Sequence, residues 1–232
     1  MKQNIGVIKN IYRYPVKSMA AELLDSATLG LRGIEGDRRF AFMIAESKTD
    51  FPWLNASKLP KMLGYKPYVK DSLLRIITPN GEDVELQSEI LRKDLSNSFG
   101  AEVRLVNFKN GIFDEAEISL ISTATIKEIE KQSGYTLDIR RFRPNIVIEL
   151  EDGFPFQEDE WVGKTIGNEN FSIAVINRDL RCVMLNLDPN TQTSNPEILK
   201  TVGKINQACA GIYCSVIKAG GIAVGDELFL TQ

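Results

Sequence analysis

Four short stretches carry side chains that can do chemistry. The first is Tyr14-Pro15-Val16-Lys17-Ser18. Lys17 offers a mobile ammonium and Ser18 a hydroxyl, and Pro15 fixes the backbone, so the loop can hold a phosphate. The second is Gly36-Asp37-Arg38-Arg39-Phe40, entering a run that reads as a strand. Side chains alternate along a strand, so one arginine faces a pocket while the other meets Asp37 or solvent. The third, Arg140-Arg141-Phe142-Arg143-Pro144-Asn145, packs three arginines into four residues before the apolar run Ile146 to Ile148. Pro144 predicts an extended Arg143, and rigid guanidinium forks beside an amide suit a phosphate or a pterin edge. The fourth is Leu180-Arg181-Cys182. A neighbouring arginine favours the thiolate, the form that ligates soft metals. Cys209 and Cys214 have no such neighbour. Each stretch also has a plainer reading: a solvated strand end, a surface ion pair, a solvated charge run, a small buried hydrophobe.

Composition narrows the chemistry. The 232 residues contain no histidine. That removes Ser-His-Asp and Cys-His catalysis, histidine-ligated zinc and histidine-held haem. A net charge of −3 gives no general field for nucleic acid or an anionic membrane. Three cysteines form no disulfide framework and point to a reducing cytoplasm. Their spacing matches neither an iron–sulfur nor a four-cysteine zinc site. No GxGxxG turn follows a strand, so a nicotinamide site is not expected. Residues Met1 to Asn10 lack a signal-peptide core, and no window reaches the ~18 apolar residues of a membrane span.

The elements that must position these stretches read as mainly β. Strands are expected at Ile5 to Tyr14, Arg39 to Ala45, Val103 to Phe108, Asn145 to Glu149, Phe171 to Val175, Cys182 to Leu185, Ile212 to Ile217 and Glu227 to Leu230. Leu73 to Thr78 and Asp83 to Leu86 flank Pro79-Asn80-Gly81, a hairpin signal. Helices are expected at Ser88 to Ser98, from a Ser122 cap to Gln132 with Gly134 as the stop, and from Asn195-Pro196 to about Ala208. The Lys109-Asn110-Gly111 turn divides the chain into residues 1–108 and 109–232. Two abutting β-barrel-like units are the natural architecture, because closure removes sheet edges.

In this order the stretches resemble the MOSC (molybdenum cofactor sulfurase C-terminal) family with its N-terminal β-barrel domain. Phe142-Arg143-Pro144-Asn145-Ile146-Val147-Ile148, Arg181-Cys182 with Asp188-Pro189-Asn190-Thr191, and Tyr213 leading to Val224-Gly225-Asp226 carry the likeness beside the first two stretches. It extends from about Ile5 to Leu230 and is strongest toward the amidoxime-reducing members. The resemblance implies an MOSC N-terminal barrel over 1–108, an MOSC domain over 109–232, and a molybdenum–molybdopterin cofactor held between them. It places the metal-ligating, catalytic cysteine on Cys182. Cofactor contacts fall on Lys17, Ser18, Arg39, Arg143, Asn145, Arg181 and Tyr213; strand alternation then points Arg38 away from Arg39. It further implies a cytoplasmic oxidoreductase acting on small N-oxygenated substrates. Electrons would come from a separate ferredoxin-, flavodoxin- or cytochrome-type protein with its reductase. The chain departs from those members at Asp114-Glu115-Ala116-Glu117, where acids would repel an anionic cofactor unless they point away. Two other readings stay open: a non-catalytic carrier of the cofactor or its sulfur, and a β-barrel module holding pyridoxal phosphate or another phosphorylated metabolite.

Overall fold

The computed structural model describes residues 2–111, 115–151 and 153–231. In chain order its strands are Gln3–Arg13 (β1), Glu22–Leu24 (β2), Ser26–Gly30 (β3), Gly33–Ile34 (β4), Phe40–Ile44 (β5), Lys66–Lys70 (β6), Leu73–Ile77 (β7) and Asp83–Glu85 (β8). They continue as Val103–Asn107 (β9), Ile118–Ser122 (β10), Ile146–Leu150 (β11), Thr165–Gly167 (β12), Ser172–Leu180 (β13), Cys209–Lys218 (β14), Gly220–Ala223 (β15) and Glu227–Thr231 (β16). The helices are Glu89–Phe99 (α1), Thr123–Ser133 (α2) and Pro196–Asn206 (α3).

The largest sheet runs β11-β10-β14-β13-β12-β16-β1, and β1 pairs back onto β11, which closes a seven-stranded barrel. Strands β10 and β11 are parallel, and their neighbours in the barrel are antiparallel. β1 therefore shares its barrel with strands from beyond residue 109. The alternation of branched residues explains the closure. Ile8 and Ile11 of β1, Ile118 and Leu120 of β10, Ile146 and Ile148 of β11, Ile173 and Val175 of β13, and Ile212 and Cys214 of β14 belong to one buried cluster. The barrel is filled by side chains, so any ligand must sit outside it. β1 bends around this core through two register shifts, between Asn4 and Gly6 and between Ile8 and Asn10. Gly6 sits at φ +135°, where a Cβ would fall 2.1 Å from the Glu149 carbonyl oxygen. No other residue type fits there.

A second core gathers Phe42, Met62, Tyr65, Ile76, Leu91, Leu95 and Val103 beneath the small sheets β5-β9 and β6-β7-β8. Leu187, from late in the chain, packs into this core. A third lies on the barrel's outer face, where Ile126 and Ile129 of α2 and Ile198 and Val202 of α3 cover Tyr12, Ile121 and Val147.

Caps act where the sequence puts them. Ser88 Oγ accepts from the Leu91 N–H and Ser122 Oγ from the Thr125 N–H, while Gly100 and Gly134 end their helices in left-handed conformation. Two expectations are corrected. Cys182 to Leu185 is not a strand: Val183–Asn186 form a 3-10 turn, in which the Leu185 N–H donates to the Cys182 carbonyl. Arg143 is not extended. It caps the turn Ile139–Phe142 at φ 50°, ψ 42°, against the bias imposed by Pro144, because its side chain is anchored elsewhere.

Candidate functional site

Tyr14 to Ser18 leave β1 and zip against residues 37–40. The Tyr14 N–H donates to Asp37 Oδ1 (2.6 Å), the Arg38 N–H to the Tyr14 carbonyl (2.7 Å), and the Lys17 N–H to the Phe40 carbonyl (2.8 Å). Asp37 is fully buried and also pairs with the Arg38 guanidinium. Arg38 further donates to Asn145 Oδ1 (3.1 Å) and to the Arg143 carbonyl (3.1 Å). The Arg38 and Arg143 guanidiniums lie over the Tyr14 ring, 4.8 and 4.3 Å from its centre. Arg143 Nη1 donates to the Met19 carbonyl, the anchor that holds its backbone left-handed. Ser18, Arg38 and Arg143 all have positive φ (66°, 47° and 50°). Three strained non-glycine residues at one place are a mark of a functional site.

The opposite wall comes from the outer face of β10, β14 and β13. Ser119 pairs with Tyr213 across β10 and β14, and the register of β13 shifts between Arg178 and Leu180, which aims Asp179 at them. Asp179 Oδ2 accepts from Ser119 Oγ (2.9 Å) and pairs with Arg181 Nη2 (2.6 Å). Burial pushes the Asp179 carboxyl up, while Arg181, Ser119 and Tyr213 pull it back. A guanidinium at 2.6 Å stays charged, so the carboxylate is the form this geometry holds. Arg181 also donates to the carbonyls of Phe142 (2.7 Å) and Ala210 (2.8 Å), fastening the base of the Cys182 turn. Arg141 fastens its far end, bonding the Asn186 carbonyl (2.9 Å) and Asp188 (2.7 Å).

Between the walls lies a pocket of about 310 Å³, within the size range of small-ligand sites. It brings together Lys17, Ser18, Arg143, Arg181, Cys182 and Tyr213. Cys182 is exposed, whereas Cys209 and Cys214 are buried. Cys214 lies inside the barrel, and burial drives its thiol far up. Two expected site residues stand elsewhere. Asn145 is buried behind the wall, donating to the Tyr12 carbonyl and accepting from the Ser119 N–H and Arg38. Arg39 points outward and donates to the carbonyls of Lys109 and Arg32, while Arg38 lines the pocket. The strict alternation of a strand starts only at Phe40. Gly36 and Arg38 are turn residues at φ 83° and 47°, so the parity expected of the two arginines is reversed.

Asn55, Ser57, Ser119, Arg141 and Asp179 also line the pocket. Ser119 had a signal, a polar residue at an alternating position within an apolar strand, whereas Asp179 follows Asn177 and Arg178 and faces the pocket through the register shifts of β13, which leave no such mark. Asn55 and Ser57 sit in irregular chain with none. Of the acidic departure, Asp114 lies outside the described residues. Glu115 accepts from Asn177 and Glu117 from Ser215, and neither lines the pocket.

A family model described as the MOSC domain matches residues 96–229, and one described as the MOSC N-terminal beta barrel domain matches residues 5–119. The chain belongs to the MOSC family. Its MOSC relatives include mitochondrial amidoxime reducing component 2 of Bos taurus, 25% identical over 98% of this chain and 84% of that protein. The molybdenum cofactor sulfurase of Danio rerio is 39% identical over 32% of this chain and 9% of its own length. The crystal structure of the YuaD protein from Bacillus subtilis shares the fold at a TM-score of 0.55 and 15% identity, covering 99% of this chain and 98% of that one.

The MOSC family ties this fold to the molybdenum cofactor, and the pocket can be tested against that group. Among the described residues no cluster of three or more Cys, Asp or Glu could hold a bare metal ion. One exposed thiol beside Lys17, Arg38 and Arg143 suits a metal that arrives with its own pterin sulfurs and an anionic phosphate. The donor set fits. No helix among the described residues is long and apolar enough to cross a membrane.

Proposed function

We propose that this MOSC protein binds the molybdenum–pterin cofactor in the pocket and reduces N-oxygenated compounds with electrons from a separate donor protein. The observation that carries the reading is the meeting of Lys17, Ser18, Arg38 and Arg143 with the exposed Cys182 thiol in one cavity. In this reading Lys17, Ser18 and the two arginines hold the anionic part of the cofactor, and Cys182 is the protein's ligand to the metal. Tyr213 and Asp179 stand beside the metal end, while Asn145, Arg141 and Arg181 fix the residues that touch it. When bound, the cofactor supplies the two-electron removal of oxygen from nitrogen. The balance is R–NHOH plus two electrons and two protons, giving R–NH2 and water. The likeness to an amidoxime reducing component across nearly the whole chain supports this substrate class. The three free thiols are in keeping with a reducing cytoplasm.

The test is elemental and pterin analysis of protein made in a molybdenum-replete host, followed by turnover of benzamidoxime with a reduced viologen. We expect molybdenum and pterin in the wild type and viologen-driven conversion to benzamidine. NADH alone is expected to drive none. Cys182→Ser should lose the metal–sulfur absorption and turnover, while Cys209→Ser and Cys214→Ser keep both. Loaded protein that stays silent with the viologen would favour the carrier reading. A pyridoxal absorption without molybdenum would favour the phosphorylated-metabolite reading.

A further inference from the structure

Apart from the cofactor pocket, a groove of about 350 Å³ lies between the end of β1 and the small sheet β6-β7-β8. Its floor is the outer edge of the second core, formed by Phe40, Leu74 and Leu86, and Pro15 adds to the same lining. Val69 and Leu73 stand on the rim, 53% and 54% exposed. The apolar surface is therefore continuous from floor to rim, as it is in small-molecule sites. Between Val69 and Leu73 the chain turns through Asp71 and Ser72, both left-handed at φ 50° and 63°. Such turns ordinarily take Asn-Gly, so this one carries strain at the edge of the groove, where ligand clamps keep it. Two charged side chains line the groove, Arg13 and Glu85. Arg13 is committed: its Nε donates to Glu22 at 2.7 Å and its Nη1 to the Glu35 carbonyl at 3.3 Å. Glu85 is held more loosely. Its cation, Arg75, gives its Nε to Asp83 at 2.8 Å and reaches Glu85 only at 3.7 Å, and Lys70 also acts on Asp83. The Glu85 carboxylate is thus the charge in the groove with capacity for a new partner, and Gln87 adds an amide.

We propose that this groove is a second binding site, for a small organic amine whose aromatic or branched body lies on Phe40, Leu74 and Leu86 and whose ammonium meets Glu85. Burial of apolar surface supplies the affinity. The exposed carboxylate sets the direction of the molecule and a modest preference for a cationic end. No residue lining the groove lines the cofactor pocket, so the site stands independently of the function proposed above.

The test titrates the purified full chain at neutral pH with phenylbutylamine, phenylbutanol and phenylbutanoate, three molecules with one body and different ends, and reads binding by calorimetry. The amine should bind with a Kd on the order of 0.1–1 mM. The alcohol should bind about threefold more weakly, and the carboxylate more weakly still. Glu85→Gln should bring the amine and the alcohol to one affinity. Leu73→Ser should weaken all three roughly tenfold. Both side chains are more than half exposed, so neither change disturbs the core, and Val69→Ser is the second rim variant should Leu73→Ser not fold. Failure of the wild type to bind the amine, a preference for the carboxylate, or unchanged affinity in the rim variant would overturn the site. So would a concentration-dependent dimer that Leu73→Ser abolishes, since a second copy would then fill the groove.

Discussion

The strands β10, β13 and β14 present two faces with opposite fates. Inward, Ile118, Leu120, Ile173, Ile212 and Cys214 pack into one buried cluster that fills the barrel. Outward, Ser119, Asp179 and Tyr213 line a pocket and bond one another. The two kinds of cysteine follow the same division. Cys214 sits inside the barrel with its thiol pushed far up by burial, and Cys182 stands just past β13, exposed at the pocket. The strand ladder is common to both faces, so chemistry here is decided by the alternation of side chains and by the point at which each ladder stops.

Breaking the outer face at its most connected residue should give the largest effect. Arg181→Met strands the buried Asp179 carboxylate and frees the Phe142 and Ala210 carbonyls. The expected loss is about 3–5 kcal/mol of stability, read by urea unfolding, because an unpaired buried charge dominates. A loss under 1 kcal/mol would mean that water already reaches this wall.

The next prediction sharpens the contrast within the Arg38-Arg39 pair. Arg38→Ala should weaken retention of the pterin by roughly tenfold to a hundredfold, about 1.5–3 kcal/mol for a charge-assisted bond. Arg39→Ala should retain the wild-type pterin content, because its guanidinium serves only the exposed carbonyls of Lys109 and Arg32. The reverse result would return the pocket face to Arg39.

The smallest expected effect concerns the loop after Cys182. Burial alone would raise Asp188, but the Thr191 and Asn190 N–H groups and the Arg141 guanidinium carry it below its ordinary 3.8. With the folded value depressed, this carboxylate stabilises the protein above pH 3.8 and ceases to do so as pH falls through the folded value. Asp188→Asn should therefore lower thermal stability slightly at neutrality, and its deficit against wild type should disappear as pH falls through the folded value. An identical acid limb in both proteins would show that other carboxylates carry it.

Much of the fold could be read from the sequence because it is written locally. The Asn80-Gly81 hairpin, the Ser88 and Ser122 caps and the Gly134 stop each depend on a few adjacent residues. Short strands such as β2, β4, β12 and β15 lack a readable run, and the long pairings of β1 are invisible to any local window. At the site, Lys17, Ser18, Arg143, Arg181, Cys182 and Tyr213 meet in one cavity, as a shared site requires. The Arg38 and Arg39 parity failed because a left-handed residue, Arg38, interrupts the chain two positions before regular alternation begins at Phe40. Arg143 failed for a related reason: stacking on Tyr14 and a bond to Met19 outweigh the local bias of Pro144.

The pairing of β1 with β16 also sets the order in which the molecule can be made. During synthesis β1 leaves the ribosome first among the barrel strands, and its two neighbours, residues 146–150 and 227–231, are translated last or late. Until then its apolar face, Ile5, Ile8 and Ile11, has only the early residues Leu24, Leu29 and Ile34 of its native cluster to pack against. Barrel closure is thus a late, non-local event of the slow kind, and nascent chains carry an open strand edge through most of translation. The core formed by Phe42, Met62, Leu91 and Val103 draws mainly on sequence translated before β11 and can condense meanwhile. A chaperone that shields an unpaired N-terminal strand should therefore raise the yield of this protein more than one acting on the finished chain.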